Sequence, residues 1–133
     1  GLAEGNRIHA NRSYGISIGH ADTDNVMRNN EITTSGKIGI LFRDDARGHD
    51  FWPNRNVVEN NRIIDSGGSD GVAIDIRGKT KDVKIINNEI RESREPSNRI
   101  GIQIGENVGA VAMENNTIHG FAQSVKDLRE RKS

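Results

Sequence analysis

The sequence predicts an all-β solenoid, a parallel β-helix of about four to five rungs, and three recurring patterns carry that prediction. An Asn-Asn-x-Ile segment returns along the chain at near-constant spacing. A glycine followed by alternating apolar residues lies between successive copies, and a short apolar stretch leads into each Asn pair. Self-similarity at a period of roughly 20–50 residues marks a repeat architecture.

The Asn pairs set the register. Gly5-Asn6-Arg7-Ile8, Asn29-Asn30-Glu31-Ile32, Asn60-Asn61-Arg62-Ile63, Asn87-Asn88-Glu89-Ile90 and Asn115-Asn116-Thr117-Ile118 align, with Ile-to-Ile spacings of 24, 31, 27 and 28 residues. At each motif the chain must bend sharply between two strands, which calls for a left-handed backbone. Asn tolerates that conformation better than other non-glycine residues. Stacked Asn side chains can also hydrogen-bond to their equivalents on neighbouring rungs, a ladder that satisfies buried polar groups. Repetition on every rung makes these residues structural rather than catalytic.

The glycine-led segments are Gly15-Ile16-Ser17-Ile18, Gly39-Ile40-Leu41-Phe42, Gly71-Val72-Ala73-Ile74 and Gly101-Ile102-Gln103-Ile104. Their alternation is the period-2 signature of a strand with one buried face. The lead-in strands are Val57-Val58-Glu59, Val83-Lys84-Ile85 and Val111-Ala112-Met113, with Met27 in the matching inward place. Three short strands per repeat cannot bury their apolar faces alone. Stacked in parallel at ~4.8 Å, each covers the next and the interior closes into an apolar column. Leucine-rich repeats are excluded by the presence of Leu2, Leu41 and Leu128 alone. A propeller would carry more aromatics than the 4% found, and helical repeats would not hold so much Asn and Gly.

At 133 residues the chain is one domain or a piece of one. Its formal net charge is zero, so no global field recruits nucleic acid or an acidic membrane surface. There are no cysteines, which excludes disulfides and thiolate metal sites. No apolar run approaches the ~20 residues of a membrane helix, and no signal peptide is read within the chain. Residues 1–125 are expected to form the rungs and 126–133 a charged C-terminal tail.

With turns and strands assigned, the pattern resembles the right-handed parallel β-helix repeat proteins, the pectate-lyase-like superfamily. The NNxI turns at 29–32, 60–63, 87–90 and 115–118 and the GIxI-type strands at 15–18, 39–42, 71–74 and 101–104 carry the resemblance. It covers about residues 6 to 125 and implies a right-handed, single-stranded parallel β-helix. The superfamily includes polysaccharide lyases, polygalacturonase-type hydrolases, mannuronan C5-epimerases, phage tailspikes and many bacterial proteins of unknown activity. A shared fold does not choose among them. Members usually carry a cap over the first rung and more rungs. This chain shows no cap, so it is expected to be a fragment of a longer helix, with remaining rungs or an N-terminal cap of the parent chain as its partner.

The resemblance implies that substrate lies along the sheet of glycine-led strands, walled by the loops that follow them. With Ile16, Ile18, Ile40, Phe42, Val72, Ile74, Ile102 and Ile104 facing in, alternation leaves two outward columns. One is Ser17, Leu41, Ala73 and Gln103; the other is Gly19, Arg43, Asp75 and Gly105. Arg43 and Asp75 would be neighbours on adjacent rungs, either gripping a sugar carboxylate or forming a solvated ion pair worth ~0–1 kcal/mol. His20, Arg77 and Lys79 lie just beyond the columns.

The longest insertion, residues 44–55, holds Asp44, Asp45, His49 and the only Trp, Trp52, which could stack on a sugar face or pin the loop. Asp44-Asp45, Gly48-His49 and Arg77-Gly78-Lys79 are similar to polygalacturonase elements. There, however, each element comes from a different rung; here the first two share one loop and Asp50 replaces a glycine. Asp22-Thr23-Asp24-Asn25 offers oxygen ligands for Ca²⁺ but lacks a later acidic partner, so no cofactor is expected beyond that one Ca²⁺ candidate. His9 and His119 read as surface residues, and no metal site is predicted.

The expected function is therefore carbohydrate-active: part of a polysaccharide lyase, hydrolase or C5-epimerase acting on extracellular acidic polysaccharide. A lyase or epimerase must neutralise a uronate carboxylate, for which Arg43 is the candidate, with His49 or His20 moving the proton. A hydrolase needs two carboxylates, to be drawn from Asp44, Asp45 and Asp75. Trp52, Gln103, Arg77, Lys79 and His20 are the candidate substrate contacts. The alternative is a non-catalytic scaffold or a glycan- or protein-binding module. Either would sit outside the cytoplasm, secreted, periplasmic or on the cell surface, with no nucleic-acid or membrane partner.

Overall fold

The computed structural model describes residues 2–9, 14–18, 25–33, 37–42, 54–65, 71–93 and 99–129. Among them a three-strand unit repeats five times. The first rung is β1 (Leu2–Glu4), β2 (Arg7–His9) and β3 (Tyr14–Ile18); the second is β4 (Val26–Arg28), β5 (Glu31–Thr33) and β6 (Ile38–Phe42). The third is β7 (Val57–Glu59), β8 (Arg62–Ile64) and β9 (Val72–Ile76), and the fourth is β10 (Val83–Ile86), β11 (Glu89–Arg91) and β12 (Ile100–Ile104). The fifth is β13 (Val111–Glu114), β14 (Thr117–His119) and β15 (Gln123–Asp127).

Equivalent strands stack in parallel into three five-stranded sheets: the first of lead-in strands, the second of Ile-bearing strands and the third of glycine-led strands. This is the parallel β-helix that the repeats predict. The second sheet aligns Ile8, Ile32, Ile63, Ile90 and Ile118 as their spacing requires. β15 carries Lys126 and Asp127 into the third sheet, so the boundary expected at residue 125 falls inside a strand.

The two residues of each Asn pair do different work. The first, Asn29, Asn60, Asn87 or Asn115, takes the left-handed backbone with φ of 55°, 54°, 55° and 53°, and Gly5 fills that place on the first rung at 68°. These corners are exposed. The second residue points its carboxamide along the stack. The Asn6, Asn30, Asn61 and Asn88 backbone N–H groups each donate to the Oδ1 of the next rung's Asn at 2.9–3.0 Å. Their Nδ2 groups donate to the same oxygens at 3.0–3.1 Å. Asn30, Asn61 and Asn88 are buried, and this continuous ladder keeps their polar atoms satisfied.

Ile32, Ile40, Phe42, Val58, Ile63, Ile74, Ile85, Ile90 and Ile102 are fully buried in one core cluster. The end rungs are more open: Leu2 is 57% exposed, Met113 37% and Val125 40%, the last two sitting in register with buried residues of the rung before. Among buried side-chain polar atoms, the Thr80 hydroxyl has no hydrogen-bond partner. Its residue precedes the fourth rung and is wholly buried. Thr80→Val removes that unsatisfied group while keeping the branched shape. The unfolding free energy is expected to rise by about 1 kcal/mol, read from urea denaturation; a fall would show that the hydroxyl is satisfied.

The third sheet departs from strict alternation. Ile38 and Val72 cluster with Leu41 and Ile100 apart from the main core, whereas Ala73, Ile74 and Ile76 belong to that core. A methyl group on Gly101 would meet Ile118 Cγ2 at 2.6 Å and Ser124 O at 2.5 Å, so position 101 also points inward. β6, β9 and β12 therefore run outward, inward, inward, outward, inward. This bend corrects the register on the third rung. Val72 pairs with Ile38 and Ile100, Ile74 with Ile40, and Ile76 with Phe42. Ala73, not Gly71, stands level with Gly39 and Gly101, because two consecutive inward residues displace the glycine landmark that period-2 reading relied on.

Candidate functional site

The corrected register composes the outer face of the third sheet differently from the two expected columns. Ser17, Leu41, Asp75, Gln103 and Lys126 form one column in consecutive rungs. Asp75 pairs with Leu41, two residues short of the level that an Arg43–Asp75 pairing needs. Ala73 leaves the expected outward column for the core, and Val72 leaves the inward set for the outer cluster. Ser17 is exposed, Leu41 and Asp75 are buried, and Gln103 and Lys126 are half-buried, so the column is covered at its centre.

Asp75 is the chemical focus of this face. Its side chain is 2% exposed, and Arg77 Nε donates to Oδ2 at 2.9 Å. Gln103 Nε2 reaches Oδ1 at 3.5 Å from the next rung. The local chain explains the pairing. Arg77 directly follows β9, its backbone N–H donates to Phe42 O at 3.0 Å, and two-residue spacing returns its side chain to the same outer side as Asp75. The Arg77 side chain is 47% exposed, so its guanidinium contacts both a buried carboxyl and solvent.

Burial pushes the Asp75 carboxyl above its usual range, and the Arg77 charge with the Arg77 and Gln103 hydrogen bonds pulls the other way. The folded chain thus holds this proton more tightly than the unfolded chain does. The stability this group contributes is complete below the ordinary carboxylate range and declines as pH rises through the raised value.

Of the residues singled out from the sequence, Asp75, Arg77 and Gln103 come together. Lys79 is exposed in the turn after Gly78, and forms no ion pair among the described residues. Arg43, Asp44, Asp45, His49, Trp52 and His20 lie outside the described residues, as does the Asp22-Thr23-Asp24 segment considered for Ca²⁺. Among the described residues no three His, Asp or Glu side chains gather to hold a metal ion. His9 Nδ1 lies 2.6 Å from Thr33 Oγ1, a rung-to-rung contact on the second sheet.

Two features escaped the sequence. Lys126 continues the Asp75–Gln103 column; the lone apolar Val125 in Gln-Ser-Val-Lys-Asp was its signal. Glu92 and Arg99 form a buried ion pair at 3.5 Å, with side chains 0% and 12% exposed, for which spacing held no cue. Beyond β15, Arg129 Nε and Nη2 grip Asp127 at 2.8 and 2.6 Å while Nη1 donates to Gly109 O. That hydrogen bonding by Arg129 holds the Asp127 carboxyl below its usual range.

Chemically, the face offers a shielded carboxyl suited to carrying a proton, a cation open on one side, and an amide. Asp75 is the carboxylate of the outer column among the described residues, and with Arg77 beside it the group is able to exchange a proton. A family model described as a right-handed beta helix region matches residues 2–126. No curated protein and no solved structure shows a significant match.

Proposed function

Since the chain belongs to the right-handed β-helix family, we propose that it is a carbohydrate-active domain binding acidic polysaccharide along the outer face of its third sheet. The observation that carries this reading is the shielded Asp75 carboxyl beside the half-exposed Arg77 guanidinium. Arg77 neutralises a uronate carboxylate, and Asp75, in its ionised form, takes the proton from the adjacent ring carbon. In a lyase the electron pair of that C–H bond forms the ring C=C bond as the glycosidic C–O bond breaks and the leaving oxygen takes a proton from solvent water. In an epimerase solvent water delivers a proton to the opposite face of the same carbon, and Asp75 releases its own proton to solvent. Both belong with extracellular polymer, hence a secreted, periplasmic or cell-surface protein.

One observation favours a second reading, a non-catalytic glycan- or protein-binding scaffold. With 2% of the Asp75 side chain open and Arg77 and Gln103 on its two oxygens, the carboxyl is as well placed to hold rungs together. Asp75→Asn separates the two. Turnover of polygalacturonate or alginate, followed by unsaturated product and by epimer content in NMR, is expected to fall at least about 100-fold. The unfolding midpoint at neutral pH should not fall, because the substitution removes a buried charge. Binding without turnover by the parent would establish the scaffold; neither binding nor turnover on either polymer would overturn the carbohydrate reading.

A further inference from the structure

On the second sheet, away from Asp75, the outward column runs Arg7, Glu31, Arg62, Glu89 and Thr117. Charge alternates along it. Arg62 lies 3.4 Å from Glu31 and 3.5 Å from Glu89, and Arg91 lies 3.7 Å from the other Glu89 oxygen. At the fifth rung the alternation stops, and the short Thr117 stands where another arginine would extend it. Beside that break is a recess of about 440 Å³ lined by Asn87, Asn88, Glu89, Arg91, Asn115 and Thr117.

The lining decides what can enter. The Asn88 carboxamide is fully engaged, donating to Val58 O and Asn116 Oδ1, both at 3.0 Å, and accepting from Asn61. The groups left for a ligand are the exposed corner amides of Asn87 and Asn115, the Glu89 carboxylate, the Arg91 guanidinium and the Thr117 hydroxyl. Together they offer donors and acceptors side by side. The one carboxylate and one guanidinium are paired, so the recess has little net charge, and it has no apolar or aromatic side chain. Its volume lies at the small end of ligand pockets and is ample for a sugar ring.

We propose that this recess binds a single neutral pyranose unit, its adjacent hydroxyls bridging carboxylate, guanidinium and amides. A uronate carboxylate would find no unpaired cation in the lining, since Arg91 is already paired with Glu89. This site is independent of the acidic-polymer surface on the third sheet.

The test is a ¹H–¹⁵N NMR titration of the whole chain with the methyl glycosides of glucose, galactose and mannose, and with methyl glucuronide. At least one neutral glycoside should give saturable shifts at amides 87–91 and 115–117, with Kd roughly in the millimolar range. Thr117→Arg fills the recess at an exposed strand position, and Asn87→Gly removes one amide wall while keeping the left-handed corner. Each variant should weaken binding about tenfold or more, a loss of about 1.4 kcal/mol. No saturable shift with any of the three, unchanged affinity in both variants, shifts centred on Asp75 and Gln103, or tighter binding of the glucuronide would each overturn the assignment.

Discussion

Asn61→Ala is expected to lower the unfolding free energy by about 3–4 kcal/mol. The Asn61 side chain sits in the middle of the ladder and makes four hydrogen bonds. Oδ1 accepts from Asn30 N and Nδ2 at 2.9 and 3.1 Å, and Nδ2 donates to Met27 O and Asn88 Oδ1 at 2.9 and 3.1 Å. Truncation removes all four in a buried layer, leaving the Asn30 backbone N–H without that acceptor and the Met27 carbonyl without that donor. Water cannot replace them between stacked rungs unless the rungs separate. Each such loss costs about 1–3 kcal/mol, partly shared because the ladder can relax. The neighbouring Asn60→Gly is the control. Asn60 is exposed and held at φ 54°, a conformation glycine adopts without strain, so that variant should stay within about 0.5 kcal/mol of the parent. Urea denaturation of both decides the matter; equal losses would mean that the corner conformation, not the ladder, carries the turn.

The second large effect is expected at Gly120. Its φ of +90° disfavours any side chain, and a Cβ there would meet Glu92 O at 2.1 Å and Glu92 C at 3.0 Å. Both are backbone atoms of the rung before, so nothing can swing aside. Glu92 is itself fixed, by its N–H to His119 O at 2.9 Å and by its buried pair with Arg99. Gly120→Ala must push the fifth rung off the fourth, at a cost of about 3 kcal/mol or more. Gly5→Ala isolates the conformational part: φ is +68° and nothing lies within 4 Å of the added carbon, so about 1 kcal/mol is expected. A Gly120→Ala loss no larger than that of Gly5→Ala would show that the close approach has no energetic weight.

Both effects mark what the sequence made legible. The Asn pairs announced rung, corner and register of the second sheet, since one residue type met two demands at fixed spacing. Pattern alone did not divide those demands between the first and second Asn, because backbone handedness is invisible in composition. The third sheet was harder. Gly71 copied the glycine landmark two residues before its counterpart Ala73, and the inward pair at 73 and 74 broke the alternation used to sort faces. That slip placed Asp75 opposite the wrong neighbour, although Asp75, Arg77 and Gln103 were each singled out. Their convergence needed the true register, since Gln103 approaches from another rung, 28 residues away. The recess at Asn87 and Asn115 was hidden for a different reason: it is defined by the absence of a long side chain at Thr117, and absences do not stand out in a repeat.

The ladder of inward Asn residues also has a sense. From Asn6 through Asn30, Asn61 and Asn88 to Asn116, every Asn-to-Asn bond has its donor on the earlier rung and its acceptor on the later one. The side-chain amide dipoles therefore add head to tail instead of cancelling, and each polarises the next. The stack is thus a vector along its axis, with an electrically distinct beginning and end, in a molecule whose net charge is zero.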